Sequence, residues 1–149
     1  MKSTIRQLLR AKGSEVWYIK PEATVYEALE FMAEKDIGAL PVMDRFNSLI
    51  GIFSERDYAR KVVLKGKSSK ETTVREMMTS EVLCVQPDTT IEDCMGLITA
   101  KRVRHLPVLE NNRVVGIITI GDVVNKVIST QKVTINEMEK YITGNAFAT

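Results

Sequence analysis

Apolar and polar residues follow one another along this chain in an order that occurs twice. Three segments of the first copy each have a counterpart in the second: "TIRQLL" (4–9) in "TVREMM" (73–78), "EVWYIKPEATVYEALEFMAEKDIGALPV" (15–42) in "EVLCVQPDTTIEDCMGLITAKRVRHLPV" (81–108), and "LIGIFSERDYARKVV" (49–63) in "VVGIITIGDVVNKVI" (114–128). Between the middle segments the offset is constant. A period of this size indicates a duplicated supersecondary unit.

Each copy opens with a predicted short strand and a predicted helix. The strand, 16–19 or 82–85, stops before Pro21 or Pro87, because proline cannot continue a central strand. The helix has apolar residues at i, i+3, i+4 and i+7, which form one buried stripe. These residues are Val25, Ala28, Leu29 and Met32 in the first copy and Ile91, Cys94, Met95 and Ile98 in the second. Thr24 with Glu27 predicts a capping box at the helix start, and Thr90 with Asp93 is the weaker version of it.

Two strands and a further helix complete each predicted copy. Short polar turns join "ALPVM" to "LIGIF" and "HLPVL" to "VVGII", as expected of antiparallel neighbours. The buried face of the following helix is predicted to carry Tyr58, Ala59, Val62 and Val63, or Val123, Val124, Val127 and Ile128.

These elements predict an α+β fold of tandem β-α-β-β-α repeats with pseudo-twofold symmetry. A half of about 60 residues has little core of its own, so the copies should pack together and leave two equivalent clefts between them. The predicted segments are a first repeat with its N-terminal helix (1–66), a connector (67–72), a second repeat (73–130), and a C-terminal helix and tail (131–149).

The C-terminal segment "VTINEMEKYITG" (133–144) predicts a separate amphipathic helix. Thr134 and Glu137 would form its capping box and Gly144 would end it. Its apolar face would dock either within the monomer or against a second subunit.

Composition narrows the class of protein. A hydrophobic content of 44%, a charged content of 27% and a net charge of +2 are ordinary for a globular protein and make nucleic-acid binding through "KRVRH" (101–105) unlikely. The sequence has no apolar stretch of about 18 residues and its N-terminus lacks the apolar core of a secretion signal, so we expect a cytoplasmic protein without a membrane span. Cys84 and Cys94 fit no disulfide framework and no metal site with the single His105; we interpret both as reduced core residues.

With "GALPV" and "RHLPV" ahead of "GIFSERD" and "GIITIGD", the duplication resembles the CBS domain family, named for cystathionine beta-synthase. The likeness covers about residues 4–128 and a tandem pair, or Bateman module, is the family's usual unit. The resemblance implies a regulatory module that binds an adenosine-containing ligand such as AMP, ADP, ATP, NAD(H) or S-adenosylmethionine. It also implies a homodimer that controls a partner protein.

Ser54-x-x-Asp57 and Thr119-x-x-Asp122 allow two interpretations that are compatible. Each follows the capping pattern of a helix N-terminus. A carboxylate at the end of a strand can also accept both hydroxyls of a ribose, beside backbone N–H groups that favour anions. The family resemblance implies that Asp57 and Asp122 hold ribose, with Ser54 and Thr119 assisting.

The second copy supplies a candidate phosphate site. Arg104 can bind phosphate oxygens in a bidentate manner, and His105 contributes when it is protonated; the alternative is that these cations only complement a helix C-terminus. The first copy has Gly38 and Ala39 at these positions, and Arg56 could restore a cation beside Asp57 or simply be solvated. We therefore expect the cleft with Asp122 to be the better nucleotide site.

Adenine would need a flat apolar slot. By the family resemblance, Ile37 and Val103 are best placed to form it, although such residues are more often core. Ala28 and Cys94 are small, which would leave room for a base or allow close helix packing.

Nucleotide sensing, with AMP as the first candidate, is the leading hypothesis. The alternative is a ligand-independent module for dimerisation or partner binding. Catalysis by Glu55, Asp57 or Asp122 is disfavoured because the sequence offers one histidine, no metal cluster and no nucleophile elbow. Catalytic cofactors are not expected.

Overall fold

The computed structural model describes residues 3–13 and 15–147, with the side chains of 133, 134 and 141–147 left out. The elements, in chain order, are α1 (Ile5–Lys12), α2 (Val25–Lys35), β1 (Ala39–Met43), β2 (Leu49–Ser54), α3 (Glu55–Asp57, continued by a π-helix over Tyr58–Val63), α4 (Val74–Met77), α5 (Ile91–Lys101), β3 (His105–Glu110), β4 (Arg113–Thr119) and α6 (Ile120–Phe147). This order confirms the α+β class and the duplication.

Of each predicted capping box, the threonine half is formed, whereas the return bond from the Glu27 or Asp93 side chain is not. Thr24 Oγ1 accepts the Glu27 amide at 3.1 Å, and Thr90 Oγ1 accepts the Asp93 amide at the same distance. Because the first amides of a helix have no partner within it, such a cap fixes where each helix starts.

Each half contains one two-stranded antiparallel sheet, β1 with β2 and β3 with β4. The predicted short strands, 16–19 and 82–85, are wrong in extent, since only Ile19 and Val85 form a bridge, to Val42 and Val108. Residues 15–18 do not pair with a sheet. Trp17 packs instead on Phe31 of α2, with the ring centroids 5.9 Å apart.

The buried apolar residues form two cores, and each core takes its first helix from the other part of the chain. Ile5, Leu8 and Leu9 of α1 lie in the core of the second half, whereas Val74 of α4 lies in the core of the first half. An isolated β-bridge between Thr4 and Thr90 likewise joins the start of the chain to the second half. The predicted division at residues 66 and 73 thus follows the order of the chain, while the packing exchanges the two helices.

Glycine allows these exchanged helices to approach the sheets. A Cβ on Gly116 would lie 2.6 Å from Leu9 Cδ2, and one on Gly51 would overlap the Met78 side chain. The chain between the halves is also ordered against α2: Ser69 O accepts the Tyr26 amide at 2.9 Å, and Thr72 is buried.

Two predictions about the late helices are wrong. Only Val62 and Val123 of the two predicted faces are fully buried, whereas Val63, Val124 and Ile128 are exposed, because a two-stranded sheet covers a narrow stripe of each helix.

No separate helix starts at Thr134 either. Helix α6 runs from Ile120 through Gly144 to Phe147, because neither a threonine nor a glycine prevents a helix from continuing. The last two residues of the predicted tail lie outside the described part of the chain.

Candidate functional site

A cavity of about 500 Å³ lies between the two halves. The first half contributes Gly38, Ile52, Ser54, Glu55, Arg56, Asp57 and Arg60; the chain entering the second half contributes Thr79, Glu81, Val82 and Leu83; and the second half contributes Val103, Arg104 and His105. The cavity therefore combines a carboxylate and a hydroxyl from one repeat with cationic and apolar residues from the other. A volume of this size is within the range of small-molecule sites.

Asp57 is the most highly connected group on the cavity wall and is only 8% exposed. Its Oδ2 accepts hydrogen bonds from the Ser54 amide at 2.9 Å and the Ser54 hydroxyl at 3.0 Å. Its Oδ1 accepts a hydrogen bond from the Thr79 hydroxyl at 3.0 Å and forms an ion pair with Lys61 Nζ at the same distance. The Asp57 amide in turn donates to Ser54 Oγ. The predicted cap is formed, and it also holds the carboxylate at the cavity.

Arginines lie on the same cavity from both halves. Arg56 Nη1 donates to the carbonyl of Arg102 at 2.8 Å, which links α3 to the end of α5. Arg104 is exposed, and Arg60 follows Arg56 by one helical turn. A group with negative charge entering this space would find guanidinium donors on two sides of Asp57.

His105 is half-buried and lies close to Gly38 across the boundary between the halves. A Cβ placed on Gly38 would be 3.4 Å from His105 Nε2. Burial lowers the pKa of His105 from 6.5, and the positive charges of Lys12 and Arg104 lower it further, while Asp122 opposes them. The imidazole is therefore mainly neutral at pH 7.

Asp122 has a different environment from Asp57. Lys12 Nζ lies 2.6 Å from Asp122 Oδ2 and also donates to the Ile117 carbonyl at 2.8 Å. Asp122 Oδ2 accepts the Thr119 amide, and Thr119 Oγ1 accepts the Asp122 amide, so this cap is formed too. The expectation that Arg104 serves the Asp122 cleft is wrong: Arg104 lines the cavity of Asp57.

A second cavity of about 500 Å³ lies beside the first, between α2 and α3. Its lining includes the predicted Ile37 together with Leu29, Met32 and Tyr58, and it shares Gly38 and Glu55 with the first cavity. Val103 lines the first cavity. Ala28 and Cys94, by contrast, are fully buried in the two cores and line neither of these cavities.

Sequence reasoning missed Thr79 and Lys61. The Thr79 backbone pairs with Ile52 through two hydrogen bonds of 2.8 and 2.9 Å, which aims the hydroxyl at Asp57. Lys61 also donates to the carbonyls of Met77 and Met78. The only sequence signal for Thr79 was a polar residue directly after the helix pattern, and Lys61 belonged to a run of basic residues that is typical of a solvated face.

Within the residues that the structure describes, no three His, Cys, Asp or Glu side chains are grouped closely enough to hold a metal ion. Among the described helices none combines the length and apolar character that crossing a bilayer requires.

Comparison with known proteins identifies the class. The family model for the CBS domain matches residues 5–64 and 74–129, one match for each repeat. A fold of two such repeats around a shared cleft is a CBS pair, a regulatory type of module. The chain belongs to the CBS domain family.

Three relatives illustrate the similarity. The mitochondrial CBS domain-containing protein CBSX3 of Arabidopsis thaliana is 35% identical over 150 residues, which cover 95% of this chain and 73% of the relative. A putative signal-transduction protein with CBS domains from Burkholderia ambifaria MC40-6 superposes with a TM-score of 0.82 at 45% identity, over 87% of this chain and 96% of the other. CBSX2, solved in complex with AMP, superposes with a TM-score of 0.71 at 28% identity, over 87% and 98% of the two chains. Since one of these relatives is mitochondrial, a cytoplasmic location for this chain stays a prediction.

Proposed function

We propose that this chain senses adenine nucleotides, with AMP as the first candidate, by binding them in the cavity that contains Asp57. The observation that carries the proposal is the meeting of Ser54 and Asp57 from one repeat with Arg104 and His105 from the other around one space. The AMP complex of CBSX2 supports the choice of ligand class. The proposed site is therefore the cleft that the sequence ranked second.

The ribose would bind at Asp57. Oδ2 of this carboxylate already accepts two hydrogen bonds, and Oδ1 accepts one and is paired with Lys61 Nζ, so we expect a ribose hydroxyl to replace one of these partners. The Thr79 hydroxyl is the neutral donor that does not belong to the helix cap, and exchanging one hydroxyl donor for another costs little. Ligand binding would then release Thr79 from Asp57.

The phosphate would bind near Arg104, and the base would extend past Gly38. Arg104 is exposed and free to form a bidentate contact with phosphate oxygens. The apolar second cavity, with Ile37 and Leu29 on its wall, begins at Gly38 and offers adenine a slot. Gly38 lines both cavities, so a nucleotide that bound across them would pass this residue.

Occupancy would be reported through the contacts that Thr79 and Lys61 make with the end of α4. Lys61 joins Asp57 to the carbonyls of Met77 and Met78, so a change at Asp57 alters how α4 packs. A homodimer or a regulated partner protein would detect this change. Any such signal requires the ligand to bind two conformations with different affinity.

Thermal unfolding with AMP, ADP, ATP, NADH and S-adenosylmethionine tests the proposal. A ligand at 100 times its dissociation constant stabilises the fold by about 2.7 kcal/mol, which is an easily measured shift. If no nucleotide moves the transition, the chain is a ligand-independent module for dimerisation or partner binding.

Calorimetric titration of Arg104→Ala then tests the phosphate site. Loss of a charged hydrogen bond costs about 1.5–3 kcal/mol, so AMP should bind at least about tenfold more weakly while adenosine changes less than about twofold. Arg113→Ala is the matched control, since Arg113 is exposed and lies outside both cavities. Equal losses for AMP and adenosine would remove the phosphate role of Arg104.

A further inference from the structure

Helix α6 continues well past the second repeat. The family match ends at residue 129, whereas the helix runs to Phe147. Every described side chain from Ile128 to Lys140 is exposed, so this part of the helix leaves the body of the molecule. Helices of fewer than about 12–15 residues are marginal in water without packing, and an extension of this kind gains stability when another surface covers it.

The exposed apolar residues of α6 follow a heptad. Val124, Ile128, Gln131, Ile135 and Met138 are separated by steps of four, three, four and three residues. The four apolar members are 45%, 44%, 53% and 59% exposed in chain order. Alternating steps of four and three place residues on one line of a helix that pairs with another helix in a coiled coil. We call these five residues the α6 seam.

We propose that the α6 seam pairs with the α6 seam of a second copy of this chain, in an antiparallel coiled coil. The neighbouring charges carry the choice of partner and direction. Lys132 and Glu139 occupy the same flanking heptad position, one heptad apart, and both are exposed. In an antiparallel pair this position faces itself, so Lys132 of each copy meets Glu139 of the other.

A parallel pair gains nothing from these charges. There the flanking position that holds Lys132 and Glu139 faces the opposite flank, where the sequence has Val127 and Thr134. The twofold exchange of one lysine and one glutamate therefore favours the antiparallel arrangement of two identical chains. Gln131 lies in the seam itself, where a polar residue fixes the register at a cost in stability.

The self-association is tested with the full-length chain by sedimentation equilibrium over a range of concentrations. The wild-type chain should dimerise. Ile135→Gln combined with Met138→Gln should shift the dissociation constant by at least about tenfold, because two buried apolar side chains are lost from each copy. The matched control is Asn136→Gln with Lys140→Gln, two exposed positions off the seam, which should leave the constant unchanged.

Charge reversal tests the direction. Lys132→Glu and Glu139→Lys should each weaken the dimer about five- to tenfold, because both symmetric pairs become repulsive, and the double reversal should restore it to within about twofold. At a concentration low enough for the wild type and the variants all to be monomeric, the thermal transition should be the same for all of them, which separates lost association from lost folding. Three outcomes would overturn the proposal: a wild-type chain that is monomeric at every concentration, a dimer that survives the seam substitutions, or single reversals without effect. None of these readouts depends on nucleotide binding.

Discussion

Asp57 and Asp122 occupy the same place in the two repeats and have the same local geometry. Each accepts a hydrogen bond from the amide of the residue three positions earlier at 2.9 Å, and each is the third residue of the helix that follows its sheet. The two carboxylates differ in the lysine that pairs with each of them. Lys61 reaches Asp57 from the π-helix of the same repeat, whereas Lys12 reaches Asp122 from α1 at 2.6 Å. The duplicated motif therefore reproduces the cap but not the cation beside it.

The two carboxylates also differ in what lies across the boundary. Asp57 shares its cavity with Arg104 and His105 of the other repeat, whereas Asp122 is paired with a lysine whose second contact is the Ile117 carbonyl. The π-helix after Asp57 is a rare form that occurs often at functional sites, and α6 has no equivalent after Asp122. Under the proposed function, the residues that differ between the repeats, more than those that they share, would determine which half binds the nucleotide.

Exchanging each carboxylate for an amide should produce the largest difference between the halves. Asp57→Asn should weaken AMP binding about 30-fold or more, since it removes a charged acceptor of ribose hydroxyls. Asp122→Asn should change the affinity less than about threefold. Titration calorimetry at a temperature where both variants are folded measures this, and a greater loss for Asp122→Asn would transfer the ligand site to the other half.

The paired glycines beneath the exchanged helices offer a second comparison. Gly51→Ala and Gly116→Ala should each lower the stability by about 1–3 kcal/mol, because the new methyl groups meet Met78 and Leu9. Only Gly51→Ala should also change nucleotide binding, because its Cβ would lie 3.1 Å from the carbonyl of Thr79. A Thr79 hydroxyl moved away from Asp57 would compete less with the ribose, so the nucleotide affinity should rise. Urea unfolding and calorimetry together check this, and unchanged nucleotide affinity in Gly51→Ala would argue against a role for Thr79.

A smaller effect should appear in the pH dependence of stability, through His105. The fold lowers the pKa of this side chain from 6.5, mainly by burial, so below that pH the unfolded chain takes up the proton more readily than the folded one. The contribution is fully present above pH 6.5 and is lost as the pH falls towards the folded-state pKa. His105→Gln should flatten the stability profile between pH 7.5 and pH 5 in urea titrations; an unchanged slope would contradict this. The first repeat has Ala39 at the equivalent position and cannot contribute.

The smallest effect concerns Cys94, which occupies the position that Ala28 holds in the first repeat. Burial raises the pKa of Cys94 to about 11, so its thiol should not react with a thiol reagent at pH 8 until the protein unfolds. Cys94→Ala should cost about 1 kcal/mol. Labelling followed by peptide mass spectrometry checks the first point, and rapid modification of the native protein at Cys94 would contradict it.

The sequence predicts the elements well because they depend on local periodicity. The four main strands and the caps at Thr24 and Thr90 occur where the pattern indicated. Contacts between residues far apart in the chain cannot be predicted from local periodicity. Nothing in the spacing of "TIRQLL" indicates that Ile5 packs in the second core, or that Arg104 lies on the cavity of Asp57.

The remaining errors have physical causes of the same kind. The capping pattern at Thr134 is compatible with a helix start, but the same residues are also compatible with the interior of a helix. In the structure they lie in the interior of α6. Small residues such as Ala28 suit both a ligand slot and a closely packed core. The structure buries Ala28 completely, which the sequence alone could not decide.

The exchange of α1 and α4 between the cores has a consequence for how the molecule holds together. A fragment ending at residue 66 would carry the helix of the other half and lack its own. Neither repeat can therefore be excised as an independent folding unit, although two fragments cut in the connector could reassemble by returning each helix to its core. Detaching either exchanged helix from its core would therefore destabilise both halves together.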